Sequence, residues 1–438
     1  MPTSNCSVNK VKEKLARFFE KSVIDETGRT SGFVQRKSKK ISPYHFVLGF
    51  MMSCCKKQNS FSGWAQQIGL LSGQSVSKQG VFDRIHSGAT AFAKELLQQV
   101  LLQQSAACFT TELFAGFGKV ILQDSTTLRL PQVLSGVFPG NHSGGEHKAV
   151  ARIQSIIDIK AMKFVDLVSG AFTQNDQSAS GSVLPWVSKG DLVIRDLGYF
   201  AIDTFEKLIE GEVHFLSRLK YGVNIYDLRG RPVIVKELLK QGKRVDRWVL
   251  IGSKKQIRVR LVMIPLPARQ AAEKIRKAKN DRDKRLNHSR EYYQWLRYSV
   301  YITTVDKDCW NTAAVAKAYS VRWQIEIIFK SWKSGFNMQH ILHEGCTNEH
   351  RVKISIYLML LFMCLFIQKI YVRYKDAIEK RTDRKISLLK MAAFVCNNMN
   401  DIFSISNSHL KELIVQHCCY EKRNDRVNMT DLYQNNKN

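Results

Sequence analysis

Three carboxylates in this chain stand where a metal ion could be held. Asp124 closes the apolar run KVILQD and is followed by Ser125-Thr126-Thr127; Asp196 closes DLVIRD and is followed by Leu197-Gly198-Tyr199-Phe200. A carboxylate at the C-terminal end of a buried strand points into the crevice where open α/β sheets bind ligands. Two of them on neighbouring strands repel each other, and a divalent cation relieves that repulsion. Mg2+ suits such a place because it takes a few hard oxygens and keeps positions for water and phosphate. Either aspartate alone is as well explained by the habit of Asp to open turns. The pair is what favours a metal.

The third carboxylate, Glu326, lies in YSVRWQIEIIFKSWKSGF, Tyr319 to Phe336, which reads as one continuous helix. At about 100° per residue, Tyr319, Arg322, Glu326 and Lys333 share a stripe roughly 60° wide, with Lys330 at its border. Ile325, Ile328, Phe329 and Trp332 fall at other angles and can bury. A plain solvated face would mix several acids among its bases for i,i+4 pairing. One Glu among cations instead suits a metal ligand flanked by groups that grip phosphates.

The elements that must position these residues are legible from texture. Between Lys119 and Arg218 the segments KVILQD, RIQSIIDI, KFVDLV, DLVIRD and VHFLSR have strand length and β-branched content, and a helix near Ala201 to Ile209 separates the last two. This is an α/β domain with a mixed sheet. From about Tyr221 to Asp306 the turn signal DLRGRP and the strand-like RWVLIG, QIRVRLVMI and YSVYITTV read as an insertion. It includes Arg269 to Arg290, with nine Lys or Arg against three acids, either a solvated helix or a phosphate-facing arm. The first hundred residues and those after Ala313 are helical in pattern. Phe61 to Ile85 reads as helix, glycine turn and second helix, with Ser75 or Ser77 as N-cap. That is either a helix-turn-helix offering Lys78, Gln79 and Arg84 to DNA, or a helical hairpin packing Trp64, Ile68, Val81 and Phe82.

Charge names the partner class. The 438 residues carry 67 Lys and Arg against 38 Asp and Glu, a formal +29, and the direct use of such a surplus is to track a polyanion. Nucleic acid comes first and an anionic membrane surface second. The most apolar run, Ile354 to Ile367, has 14 residues, short of the roughly 20 a spanning helix needs, and is expected as a buried core helix. The ten cysteines form no C-x-x-C, so neither a zinc ribbon nor a disulfide framework is supported, and a reducing cytosolic compartment fits. His142 and His147 in GNHSGGEHKAV read as a loop near the core rather than metal ligands. No phosphate-loop motif is present, which argues against ATP-driven chemistry.

With these residues in hand, the sequence resembles the bacterial DDE transposases of insertion-sequence family four. Its Y-x2-R-x3-E-x6-K signature is met by Tyr319, Arg322, Glu326 and Lys333; its D-S-T by Asp124, Ser125 and Thr126; its D-x-G-Y-F by Asp196, Gly198, Tyr199 and Phe200. The resemblance covers about residues 115 to 335. It implies an α/β fold: a ribonuclease-H-like mixed-sheet core with a β-rich insertion, flanked by helical N- and C-terminal regions. The expected parts are a helical DNA-binding region at 1–105, the first part of the core at 106–220, the insertion at 221–306, the second part with the signature helix at 307–370, and C-terminal helices with a disordered tail at 371–438, taken as the place of dimerisation.

The resemblance further implies that Asp124, Asp196 and Glu326 bind two Mg2+ ions, with Mn2+ as a substitute. Such a site cuts at a transposon end and transfers the 3′-OH strand to target DNA. Tyr319, Arg322 and Lys333 would hold phosphates near the cut, and Lys330, at the border of the stripe, is expected as a further DNA contact. Trp295 or Trp323 would meet a flipped base, although a buried tryptophan is the plainer identity of each. End DNA, target DNA and a second copy in a homodimeric synaptic complex are the implied partners, on the bacterial nucleoid and away from membranes. The alternatives are a metal-dependent nuclease on the same fold and a non-catalytic DNA-binding descendant, which predicts a lost carboxylate. All three are present.

Overall fold

The structure is a computed structural model that describes residues 20–35, 40–104, 112–143, 146–280, 289–343, 345–382, 384–402 and 405–420, side chains of 141–147 and 400 excepted. Residues 281–288 of the basic segment Arg269 to Arg290 and the polar C-terminal tail lie outside the described residues.

Strand β1 (Val120–Leu130) organises the sheet. On one side it pairs antiparallel with β3 (Glu146–Asp158), which pairs antiparallel with β4 (Lys163–Ala171). On its other side it pairs in parallel with β5 (Leu192–Arg195), itself parallel to β6 (His214–Arg218). The order β4-β3-β1-β5-β6, antiparallel on one flank of β1 and parallel on the other, is the ribonuclease-H-like arrangement. Helix Ile202–Glu210 makes the crossover from β5 to β6, as parallel neighbours require. A short β2 (Pro139–Ser143) folds onto β3, setting the backbones of His142 and His147 opposite each other.

The insertion does not form a lobe apart from the core sheet. Its strand β10 (Tyr298–Thr303) pairs antiparallel with β6, followed outward by β9 (Ile257–Pro265), β8 (Val245–Ile251) and β7 (Ile225–Tyr226), giving one ten-stranded sheet. The DLRGRP turn folds as read, with Arg231 paired to Asp227 at 2.7 Å and Gly230 at φ +78°.

The central parallel strands are buried on both faces, which is why they read as short unbroken apolar runs. Side chains alternate between two cores. Val120, Leu122, Leu192, Ile194 and Leu216 join the larger core, built with the N- and C-terminal helices. Ile121, Val193 and Phe215 face the other core, under helix Ile202–Glu210. Helix Ser87–Leu102 packs on helix Glu349–Leu365 and on β4, so the terminal helical regions share one core with the sheet. Ile354 to Ile367 is buried as expected. The continuous helical stretch Glu349–Glu379 is long and apolar enough by composition to cross a membrane, but 83% of its most apolar window is covered by the rest of the chain.

The helix-turn-helix expectation meets a correction. Helix Phe61–Ser72 ends at Gly73 in the left-handed region (φ +71°), and Ser77, not Ser75, caps the next helix by accepting from the Gly80 amide. That second helix is only Lys78–Phe82, because the Arg84 and Ile85 amides bond back to the Val81 and Phe82 carbonyls and close a tight turn. Five residues are too few for a groove-spanning recognition helix. Trp64, Ile68 and Val81 are buried as the hairpin reading required, whereas Phe82 is exposed.

Candidate active site

The two-residue period of the sheet sets the first two carboxylates on one face. Asp124 has the parity of Val120 and Leu122, and Asp196 that of Leu192 and Ile194, so both point toward the helices of the larger core. The backbone of Asp196 stays extended one residue beyond β5 (φ −79°, ψ 166°), which preserves the alternation. Asp124, however, is not at a strand end: β1 continues to Leu130 because β3 pairs with it along that whole length. What ends beside Asp124 is the parallel partner β5, whose last pair is Gln123 with Arg195. The crevice expected at a strand terminus is opened by the neighbour.

The Tyr319–Phe336 segment is not one helix. Helix Thr312–Ser320 stops, and Val321 and Arg322 form a turn whose amides bond to the Ala318 and Tyr319 carbonyls. Helix Trp323–Lys330 follows, then a π-helical turn Ser331–Gly335 closed by the Phe336 amide on the Ser331 carbonyl at 3.1 Å. A π turn takes an extra residue per revolution, so a uniform 100° projection misplaces Lys333.

The break matters because Arg322 sits in it. Its Nη1 donates to Asp124 Oδ2 at 3.2 Å and its Nη2 to Glu326 Oε1 at 2.8 Å, while its Nε lies 3.6 Å from Asp196 Oδ1. Tyr319 donates its hydroxyl to the same Asp196 oxygen at 3.1 Å. The three acids therefore converge on one guanidinium. Burial pushes the Asp124 carboxyl up to about 6; the Ser125 amide and Arg322 pull it back down, and Asp196 and Glu326 add to the rise. Burial likewise raises the Tyr319 phenol, reinforced by Asp196. For Arg322 burial opposes the charge, yet Asp196, Tyr319, Asp124 and Glu326 outweigh it and hold its pKa above the ordinary value.

The donor chemistry fits a hard divalent cation: three carboxylates on rigid elements, facing one positive charge. Their present arrangement does not form a ready-made metal cage. Among the described residues no three His, Cys, Asp or Glu groups are grouped closely enough to hold an ion, since each acid is drawn to a different edge of the guanidinium.

Other expected residues scatter. Lys333 is half-buried, which lowers its pKa, and pairs with no acid among the described residues. Lys330 is exposed and lies 5.4 Å over the ring of Trp323, itself 54% exposed. Trp295 is 8% exposed and packs against Tyr221 in the second core. Lys78 is exposed; Arg84 is half-buried, its Nη1 donating to the Gly80 carbonyl at 2.5 Å.

The opposite face of the sheet holds residues that sequence reasoning missed. Asp176 accepts from Ser125 Oγ (2.7 Å), Arg152 Nη1 (2.6 Å) and Gln154 Nε2 (3.2 Å), and Gln154 accepts from the Tyr199 hydroxyl. A Cβ on Gly198 would approach Asp176 Oδ2 to 3.1 Å, which accounts for glycine there. Arg195 is fully buried, bonded to Ser180 and to the Tyr199 carbonyl, with burial lowering its pKa to about 9. These bonds tie the residues following Asp124 and Asp196 to a common frame. Arg152 and Gln154, two apart in an apolar strand, were the available signal; Asp176, in a polar loop, gave none. Arg218 was also missed: it ends β6 with its guanidinium 5.2 Å over the Tyr319 ring.

Residues 115–367 match the family described as the transposase DDE domain. The chain belongs to the DDE transposase family. Its curated relatives include the transposases of insertion sequence elements IS231F from Bacillus thuringiensis subsp. israelensis and IS1151 from Clostridium perfringens. The first is 26% identical over 80% of this chain and 78% of its own length, the second 25% over 77% and 76%. Among solved structures, a piggyBac transposase synaptic complex with hairpin DNA aligns at a TM-score of 0.42 and 10% identity, over 95% of this transposase and 85% of that chain. Strand order alone gives this transposase its ribonuclease-H-like fold.

Proposed function

We propose that this transposase cuts DNA at the ends of an insertion sequence and joins the freed 3′-OH to target DNA, with Asp124, Asp196 and Glu326 as the ligands of Mg2+. The observation that carries the proposal is the convergence of these acids, from β1, the end of β5 and helix Trp323–Lys330, on one cationic group. When bound, divalent cations at such a site supply Lewis-acid stabilisation of the attacking and leaving oxygens. Tyr319 orients Asp196 through its hydrogen bond. Arg322, once released from the acids, and Lys333 offer charge to phosphates beside the cut, and exposed Lys330 and Trp323 extend that surface. Lys78 and the N-terminal helices contact end DNA farther from the scissile bond, and two copies synapse two ends.

The test uses Asp124→Ala, Asp196→Ala and Glu326→Ala, with pre-cut and uncut end duplexes in Mg2+. Each variant is expected to bind end DNA and to lose both cutting and joining. Near-normal cutting by any variant removes that residue from the site. Cutting without joining by the wild type would replace the transposase reading with a nuclease.

A further inference from the structure

A pocket of about 370 Å3 lies between the N-terminal helices and the segment after the signature helix. The N-terminal ends of two helices, Phe61–Ser72 and Glu349–Leu365, meet there, contributing Ser60 and Ser62 from one and Thr347 and Asn348 from the other. Ser60 and Asn348 each cap one amide, of Gly63 and Arg351. The remaining first-turn amides of both helices lie at this end, and Glu349, in the first turn of the second helix, is paired with Lys353. Lys78 lines the pocket as well and is exposed, with no ion-pair partner among the described residues. None of the described lining residues is acidic.

Arg351 is the independent sign that an anion belongs here. It is only 5% exposed, lines the pocket and makes no ion pair with any described acid. Its Nη2 donates to the Asn59 carbonyl at 2.9 Å, its guanidinium stacks over Phe61 and Trp64 at 4.2 and 5.0 Å, and its Nη1 has no hydrogen-bond partner. A buried guanidinium without a counter-charge is costly, and burial lowers its pKa to about 10.

We infer that this pocket takes a phosphate of the DNA backbone, held by Lys78, with Ser62 and Thr347 at the two helix ends and Arg351 beneath. The inference rests on the reading that the chain binds end DNA. Free phosphate has the same chemistry, so the experiment separates the two sources. Full-length protein is unfolded thermally in inorganic phosphate and in chloride of equal ionic strength, and its binding to a terminal-repeat duplex is followed against salt. Two variants are compared with the wild type. Lys78→Ala removes a charge; Ser62→Asp sets a negative charge in the pocket while favouring the helix that begins there.

Phosphate is expected to raise the wild-type melting temperature but neither variant's. Lys78→Ala is expected to reduce the slope of log affinity against log salt by about 0.9, and Ser62→Asp to weaken DNA binding several-fold. No phosphate response in the wild type, or an equal response in both variants, overturns the site. Loss of that response with DNA binding unchanged overturns DNA as the source. Failure of the wild type to bind end DNA at all defeats the proposed function, while the phosphate measurement still judges the pocket.

Discussion

Removing Arg322 should destabilise the metal-free protein and tighten its grip on divalent cations. The side chains of Arg322 and Asp124 are 12% and 15% exposed and that of Glu326 30%, so two of the three pairs are largely sequestered from water. Breaking a buried pair from one side costs ~3–5 kcal/mol. The third partner, Asp196, is 40% exposed, and its pair is worth ~1 kcal/mol or less. Partial exposure and proton uptake by the stranded acids reduce the total, so Arg322→Ala should lose roughly 2–3 kcal/mol in chelator. In the wild type a cation must first displace the guanidinium, at about the same cost. The variant escapes that cost, and its Mn2+ affinity should rise ~30- to 150-fold. Thermal unfolding in chelator and in Mn2+, with calorimetric Mn2+ titration, reads both effects. A variant as stable as wild type in chelator, or one that binds Mn2+ no better, would refute the view that Arg322 acts as the internal counter-ion of these carboxylates.

Three further outcomes follow from the geometry. Lys333→Ala should weaken end-DNA binding and reduce its salt slope by about 0.9; an unchanged slope in a gel-shift titration would exclude a phosphate contact. Because burial raises the Asp124 carboxyl to about 6, above the ordinary aspartate range, the folded state binds that proton more tightly than the unfolded one. Metal-free stability should fall as pH rises from about 4 through 6 and level off above, while Mn2+ affinity should climb over the same window. An Mn2+ affinity flat across about pH 5 to 7 would contradict that assignment. Asp176→Ala should cost ~2–3 kcal/mol in urea unfolding, since it strands Arg152, whose side chain is 10% exposed; it should also slow cutting by loosening Ser125. Full activity in a destabilised variant would make Asp176 structural only.

The sequence by itself marked out the strands of the core and singled out three acids that the fold brings to one guanidinium. KVILQD, DLVIRD and VHFLSR were legible as strands because burial on both faces demands short apolar runs, and that demand is written in consecutive residues. The buried helix at Ile354 was legible for the same local reason, whereas the cap was narrowed only to Ser75 or Ser77 and the structure chose Ser77. Only tertiary structure decided the rest. β1 runs past Asp124 because β3 supplies hydrogen bonds to Leu130, and nothing in LRL announces that partner. The insertion joined the core sheet because β6 offered β10 an open edge, a fact residing in neither segment alone. Uniform helical geometry put Arg322 and Glu326 on one stripe, and they do touch. It could not show that a turn at Val321 and Arg322 swings the guanidinium against Asp124, 198 residues away in the chain. Charges find each other through space, so the centre of this site became visible only once the sheet and the broken helix were set face to face.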